Sequence, residues 1–433
     1  MKQYDEYKKS GVAWVEKIPS SWNVSRGKTI LELLNRPIKD DDEIITCFRD
    51  GEVTLRKNRR EEGFTVALRE AGYQGIEPGD LVVHGMDGFA GSIGISDSRG
   101  KATPVLNVLD STQNKRYLMY YLRSLAYSDV FISLSTGIRV RSCDLRWNKL
   151  AVLPFVLPSI KEQDKIVHYL DQKCDMVDSI INGERSIIEE YKSWKSSIIT
   201  EAVTKGLSPE REYKTVNLEW ISEIPSSWDA CRLKALFSFG KGLPITKDNL
   251  VEQGVPVISY GQIHAKTNTG TSISDDLLRY VPEKYLKSNP DSLVKSGDIL
   301  MADTSEDVDG CGNSAYVDKD MQLFAGYHTI ILRSLRGNNN KYLAYLFKSD
   351  AWRSQIRTRV SGVKLFSVSK KILNICSVIL PPNEEQAEIV QFLDEKCSLI
   401  DAVIAKKMQI IEDLEKYKRS LIEETVMGKR KVV

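Results

Sequence analysis

The chain has 433 residues, of which 42% are hydrophobic and 28% are charged. This length exceeds what one hydrophobic core usually supports and predicts a globular protein of more than one domain. The 61 basic and 59 acidic residues leave a net charge of only +2, which excludes a positive field over the whole chain. Any contact with a polyanion must therefore come from local basic patches.

The cysteines and the hydropathy pattern predict a soluble cytoplasmic protein with no membrane contact. The seven cysteines are scattered and form no Cys-x-x-Cys pair, which favours reduced, structural thiols. The first residues lack an apolar signal core, and no run of about 18 apolar residues occurs.

A tryptophan-bounded segment near the start of the chain occurs a second time. Residues 14–22 read Trp-Val-Glu-Lys-Ile-Pro-Ser-Ser-Trp, and residues 220–228 read Trp-Ile-Ser-Glu-Ile-Pro-Ser-Ser-Trp, at an offset of 206. Two Trp side chains around an Ile-Pro turn favour an apolar packing role over direct ligand contact.

The region after the first tryptophan segment, residues 19–157, alternates short strand-like runs with turn signals. One turn, Pro78-Gly79-Asp80, leads into the apolar run 81–83, and residues 117–128 have the pattern of a helix. The region is predicted to be mixed α/β and mostly antiparallel.

The longest repeat covers residues 157–206 and 380–429, at an offset of 223. In both copies Leu-Pro is followed by Glu-Gln and then by apolar residues at three-and-four spacing, which predicts two helices of about 45 residues with a coiled-coil seam. Each apolar stripe must be covered, and the other copy is its nearest equivalent partner.

The second globular region, residues 225–380, follows the plan of the first with little identity. Gly297-Asp298 answers Gly79-Asp80, and the run starting at Tyr342 answers the one starting at Tyr117. A shared frame with divergent inserts suggests two related binding units that recognise different targets. A polar linker, residues 206–214, joins the two halves.

No catalytic or metal-binding pattern stands out in the sequence. Gly27-Lys28-Thr29 lacks the first glycine of a phosphate-binding loop, and the four histidines lack metal-ligand spacing. The acidic residues at 303–309 lack calcium-loop spacing and are better read as a turn. We therefore expect no enzyme activity, no metal site and no cofactor in this chain.

The remaining signal is recognition of nucleic acid. Arginine and lysine suit phosphate contact, and arginine, glutamine and asparagine also read base edges. Solvated surface charge is the alternative for any single residue, whereas the clusters carry more weight. The candidate DNA-binding residues lie in expected loops and are Lys57, Arg59, Arg60, Arg139, Arg141 and Arg146 in the first region and Tyr260, Gln262, His264, Lys266, Asn268, Arg357, Arg359 and Lys364 in the second.

Together the tryptophan segments, the Gly-Asp turns and the repeated helix openings resemble the specificity subunits of type I restriction-modification systems. The resemblance implies an α+β fold of two tandem α/β target-recognition domains separated by two long helices that pack as an antiparallel coiled coil with pseudo-two-fold symmetry. The corresponding domains are an N-terminal tag (1–18), the first recognition domain (19–157), the first helix (158–206), a linker with the second tag (207–224), the second recognition domain (225–380), and the second helix and tail (381–433). One departure is at residues 216–219, which lack a counterpart of the Ser10-Gly11 pair that precedes the first tryptophan segment.

The resemblance also implies a non-catalytic function. Such a subunit reads a bipartite site in double-stranded DNA and scaffolds two modification (methyltransferase) subunits and two restriction (translocase and nuclease) subunits. S-adenosylmethionine, ATP and Mg are then expected on those partners. The alternative from the residues alone is a coiled-coil adaptor with two protein-binding domains and no role in nucleic-acid binding.

Overall fold

The division of the chain into units does not follow its linear order. The computed structural model describes residues 3–59, 71–133, 145–335, 337 and 339–432. One unit comprises Met1–Arg185 with Met408–Val433, and the other comprises Ser186–Lys407. Each unit thus combines one globular region with the first part of one repeated helix and the last part of the other.

The first unit contains a four-stranded antiparallel sheet packed on a helix. Its strands are β1 (Tyr7–Val12), β2 (Val15–Pro19), β3 (Asn23–Arg26), β4 (Leu31–Leu33), β5 (Ile45–Cys47), β6 (Val53–Leu55), β7 (Gln74–Ile76), β8 (Leu81–His84), β9 (Ile93–Ile95), β10 (Gly100–Ala102), β11 (Leu106–Ser111) and β12 (Pro154–Leu157). Its helices are α1 (Lys115–Tyr127), α2 (Val130–Ser133), α3 (Trp147–Leu150) and the first part of α4 (Ile160–Lys205). The sheet order is β4-β11-β8-β9, and α1 lies against β8 and β9.

The second unit repeats this sheet and adds another. Its strands are β13 (Tyr213–Leu218), β14 (Ile221–Pro225), β15 (Asp229–Arg232), β16 (Phe237–Lys241), β17 (Val255–Ile258), β18 (Arg279–Val281), β19 (Leu293–Val294), β20 (Ile299–Ala302), β21 (Thr304–Ser305), β22 (Ser314–Tyr316), β23 (Leu323–Ala325), β24 (Thr329–Ser334), β25 (Phe366–Ser367) and β26 (Ser377–Leu380). Its helices are α5 (Tyr260–Ile263), α6 (Lys284–Ser288), α7 (Asn340–Lys348), α8 (Asp350–Arg357), α9 (Lys370–Ile375) and the first part of α10 (Asn383–Val426). The order β16-β24-β20-β22 matches the first unit, whereas β18-β17-β23-β19 is an additional sheet with one parallel pair, β17 and β23.

The two repeated segments form the long helices that the sequence predicts. Helix α4 has 46 residues and α10 has 44. Their seam residues are most deeply buried beside the globular regions, as shown by Ile166, Leu170, Ile389 and Leu393, which are 0% exposed. The mixed α+β class with two tandem units and long helices is therefore confirmed.

Within each unit the helix segments run antiparallel. In the first unit Lys418 Nζ lies 2.5 Å from Asp178 Oδ2, and Arg185 Nη2 lies 3.3 Å from Glu415 Oε1. Residue numbers therefore fall along one helix as they rise along the other. In the second unit Lys195 Nζ makes the corresponding pair with Asp401 at 2.6 Å.

Each tryptophan segment contains the second strand of a β-hairpin and packs into the core, as its apolar character predicts. Strand β1 pairs with β2, and β13 pairs with β14, with the same irregularity before each turn. Trp22 and Trp228, which follow the two hairpins, are 0% exposed. Trp228 also donates from Nε1 to Glu385 Oε2 at 3.1 Å, which ties this segment to the first turn of α10.

A buried tyrosine joins three elements at the same place in each unit. Tyr117 on α1 and Tyr342 on α7 are 0% exposed, and each hydroxyl lies beside one carbonyl of the last strand and one carbonyl near the end of a long helix. The distances are 2.8 Å to Val156 and 3.2 Å to Val426 from Tyr117, and 3.2 Å to each of Val203 and Ile379 from Tyr342. Desolvation by burial raises the pKa of both phenols well above 10.0, so both stay protonated donors.

A second repeated contact fixes each domain helix on a long helix. Tyr120 donates to Asp171 Oδ1 at 2.7 Å, and Arg116 pairs with the same carboxylate at 2.7 Å. In the second unit the same geometry joins Tyr345 and Lys341 to Asp394, at 2.7 Å each. The orientation of each globular region on its helices is therefore set by the same side-chain positions.

Replacing Tyr342 by Phe should lower the free energy of unfolding by about 1 to 3 kcal/mol, because two buried carbonyls lose their shared donor. Thermal unfolding monitored by circular dichroism measures the loss. The matched control is Tyr417→Phe, since Tyr417 is 48% exposed and its variant should unfold like the parent chain. Equal melting temperatures for the two variants would contradict this assignment.

Acid should weaken the first unit through Asp42. Arg99 donates to its two carboxylate oxygens at 2.9 and 2.8 Å, and this hydrogen bonding, against desolvation, lowers the pKa of Asp42 from 3.8 to about 2. Because the folded pKa lies below the unfolded one, this stabilisation is complete above pH about 4 and is lost as the pH falls towards 2. Asp42→Asn should therefore lower the free energy of unfolding at pH 7 by on the order of 1 kcal/mol, and its stability should fall less steeply between about pH 4 and pH 2 than that of the parent chain. Asp41→Asn is the control: Asp41 is exposed, so its replacement should change neither the stability at pH 7 nor its loss in acid. If the free energy of unfolding of Asp42→Asn fell with pH as steeply as that of the parent chain does, Asp42 would not be a source of the acid sensitivity.

Candidate nucleic-acid interface

The basic residues after β6, Lys57 and Arg59, lie at the surface, where acidic neighbours partly neutralise their charge. Lys57 Nζ lies 2.6 Å from Glu43 Oε1. Arg59 contacts Asp50 at 2.6 Å and stacks over the ring of Phe48 at 4.3 Å, and the hydrogen bond that Arg59 donates to Asp50 raises the pKa of Arg59. Both side chains keep exposed area and can reach a phosphate by exchanging these surface partners.

Of the other first-region candidates, the structure describes Arg146. Arg146 directly precedes α3. Arg60, Arg139 and Arg141 lie outside the described residues.

The expected loop that starts at Tyr260 begins instead as the one-turn helix α5. The reason is a capping box: Ser259 caps the first turn, and its main-chain N–H donates to Gln262 Oε1 at 3.1 Å. Gln262 also lines a cleft. A serine followed three residues later by glutamine is the signal that would have predicted this helix.

His264 and Asn268 mainly brace the fold. His264 Nε2 lies 2.8 Å from the carbonyl of Thr304, and Nδ1 lies 2.9 Å from the side-chain nitrogen of Asn313, so both ring nitrogens are occupied. Asn268 donates to the carbonyls of Ile263 and Ser314 at 2.7 and 3.0 Å. Lys266, by contrast, is exposed.

The arginines of the second region lie on or just after α8 rather than in a loop, and they hold neighbouring backbone. Arg357 donates to the carbonyl of Asp309 at 2.9 Å, and Arg353 donates to the same carbonyl and to that of Cys311. Burial lowers the pKa of Arg353 to about 10. Arg359 is bound to Glu219 beside the second hairpin.

Lys364 has a different setting, in the stretch between α8 and β25. It lies between Val363, which is 97% exposed, and Leu365, which is 57% exposed. Among the described residues Lys364 has no ion pair, so its charge is available to a partner. The structure thus separates an exposed lysine from arginines that support the adjoining loop.

Two clefts open on this part of the second unit. The larger, with a volume of about 730 Å³, has polar, acidic and aromatic walls that include Tyr260, Gln262, His264, Asp307, Asn313, Tyr327 and Arg353. The smaller, of about 460 Å³, is lined by Lys241, Asp303, Tyr327, His328, Ser367 and Lys370 among others. The sequence interpretation missed Tyr327 and His328, for which a turn between two apolar runs was the only local signal.

Two structural tests bear on other classes of function. In the part of the chain that is described, no group of three or more His, Cys, Asp or Glu side chains is arranged to hold a metal ion. Each described helix is too short or too polar to span a bilayer.

Comparison with known proteins identifies the family. Residues 225–416 match the type I restriction modification DNA specificity domain. The MjaVIII type I restriction enzyme specificity subunit of Methanocaldococcus jannaschii is 24% identical over 323 residues, which cover 72% of this chain and 70% of that protein. The putative MjaX specificity subunit of the same organism is also 24% identical, over 463 residues that cover 99% of this chain and 97% of the relative.

A solved structure shares the fold over nearly the whole chain. That structure comes from work on complex assembly and conformational transition of the type I R-M system. It superposes on this chain with a TM-score of 0.67 at 14% sequence identity, and the match covers 94% of this chain and 98% of the other. The matched domain, the two relatives and the duplicated fold agree: residues 225–416 belong to the family of type I restriction modification DNA specificity domains, and the chain as a whole is similar to type I restriction enzyme specificity subunits.

Proposed function

We propose that this chain reads a bipartite site in double-stranded DNA, with one recognition domain for each half-site. The observation that carries the proposal is that both units share the same sheet order and the same contacts to the long helices, while the surfaces built on that shared framework differ. The tyrosine and aspartate contacts to the long helices are the same in both units. The additional sheet and the two clefts described above belong to the second unit.

The long helices are proposed to set the length of the unread spacer and to dock two modification subunits. Large apolar side chains remain exposed along both helices, and they include Met176, Ile180 and Trp194 on α4 and Leu399, Met408, Ile410 and Tyr417 on α10. Such residues are typical of a protein interface rather than of a solvated helix face. Two restriction subunits complete the proposed assembly.

In this proposal the chain itself performs no chemistry. Methyl transfer, ATP-driven translocation and cleavage belong to the partners, which bring S-adenosylmethionine, ATP and Mg. The assembly acts on chromosomal or invading DNA and is therefore placed in the cytoplasm.

Salt dependence of DNA binding tests nucleic-acid recognition directly. Lys364→Ala in the full chain, bound to its modification subunits, should weaken binding to every sequence and reduce the slope of log K against log salt by about 0.9, because one phosphate contact is lost. The control is Lys319→Ala, since Lys319 already pairs with Asp275 at 2.6 Å and should leave the slope unchanged. Fluorescence anisotropy over a salt series gives both slopes. The adaptor alternative predicts no salt-dependent DNA affinity in any of the three proteins.

Helix length tests the spacer proposal. Inserting one heptad into α4 after Arg185 and one into α10 before Met408 lengthens both helices by about 10 Å while keeping the apolar seam in register. The methylated half-site sequences should stay the same and the spacer between them should change. Insertion into α4 alone is the control and should abolish assembly, because the paired seam no longer matches. An unchanged spacer in the double insertion would rule out the helices as the determinant of length.

A further inference from the structure

His328 has a left-handed backbone conformation, which is uncommon for a residue other than glycine. It lies in the turn between β23 and β24 with a φ of 56°, in the left-handed region that L-residues avoid. Among the described residues the other non-glycine case is Asp129, with a φ of 55°, just after α1, where a left-handed residue commonly ends a helix. His328 ends no helix, so its conformation needs another cause.

The surrounding backbone holds this conformation from three sides. Gly326 N–H donates to the carbonyl of Ile258 at 2.7 Å, Tyr260 N–H donates to that of Tyr327 at 3.2 Å, and Asp303 N–H donates to that of His328 at 3.1 Å. The strain is therefore fixed by neighbouring strands rather than by the turn alone. Strained residues that persist under such support concentrate at functional sites.

The imidazole is oriented and leaves one nitrogen available. Nδ1 lies 3.1 Å from Asp303 Oδ1 and 3.3 Å from Thr304 Oγ1. Because the Thr304 hydroxyl itself donates to Asp303 Oδ1 at 2.8 Å, both neighbours are placed to accept a hydrogen bond from Nδ1–H. The rings of Tyr260 and Tyr327 pack edge-on at 5.4 and 5.8 Å. The side chain is nevertheless 55% exposed, and Nε2 has no hydrogen-bond partner among the described residues.

The equivalent position in the first unit shows that this pair is specific to the second. Strands β11 and β24 both have six residues and the same burial pattern, which places Val105 where His328 stands. The main-chain bond is also shared, since Gly85 N–H donates to the carbonyl of Val105 at 2.8 Å as Asp303 does to His328. The frame thus carries Gly85 and Val105 in one unit and the Asp303–His328 pair in the other.

We propose that His328 is a specificity-determining residue that reads one base pair of the half-site recognised by the second domain. Its Nε2 accepts a hydrogen bond from an exocyclic amino group in the major groove, N4 of cytosine or N6 of adenine. Asp303 and the two tyrosines are positioning residues, because they fix the tautomer and the plane of the ring. This inference rests on the proposed function.

The test is adenine-methylation sequencing of DNA from cells that express the full chain with its modification subunit. In His328→Gly the imidazole is removed while glycine adopts the left-handed backbone without strain, so the variant should fold. One position of the second half-site should lose about tenfold in preference, with the first half-site and the spacer unchanged. Asp129→Gly is the matched control, because it removes the same type of strain in the first unit and should leave the motif intact.

A second variant keeps the test independent of folding. Asn tolerates the left-handed conformation and retains a shorter polar tip, so His328→Asn should change the preferred base at that same position. An unchanged motif in the folded His328→Gly variant, or a uniform loss of methylation at all positions, would overturn the role of His328. Failure of the parent chain to give any split motif would instead count against the proposed function.

Discussion

The hydroxyl of one buried tyrosine per unit connects parts of the chain that are far apart in sequence. Tyr117 lies on a domain helix, yet its partners are a carbonyl of the last domain strand and a carbonyl of a helix that ends 309 residues later. Tyr342 makes the equivalent contacts with Ile379 and Val203. Since an unpaired buried carbonyl is costly, this contact couples correct folding of each domain to correct pairing of the helices.

The contacts that hold the fold together are shared by the two units, whereas the surface turns built on them differ. Helix pairing, hairpin packing and domain orientation use equivalent side chains in both units, as with Asp171 and Asp394. Surface turns on the same frame differ, and the exchange of Val105 for His328 occurs without loss of the main-chain hydrogen bond beneath it. Under the proposed function, recognition and assembly depend on different residues, so such a scaffold can acquire a new target while keeping its partners.

The sequence was sufficient for the parts of the structure that rest on local periodicity. The apolar spacing of α4 and α10 predicted both helices, and the paired tryptophans predicted apolar packing, although not the hairpins in which they lie. Side chains whose roles depend on distant contacts were harder to interpret. Arg357 has the chemistry of a phosphate ligand, but a carbonyl 48 residues away accepts its hydrogen bond. His328 showed no metal-ligand spacing in the sequence, and only the packing of Asp303 and Tyr260 against it reveals an oriented ring.

The central claim is that two domains on one duplicated frame read two separate half-sites. Single-molecule sequencing of N6-methyladenine in cells that express the unaltered chain with its modification subunit tests this most directly. The account predicts one split motif, with a methylated adenine in each half and an unread spacer of constant length. A continuous motif, or no motif while the same modification subunit is active beside another specificity chain, would contradict it.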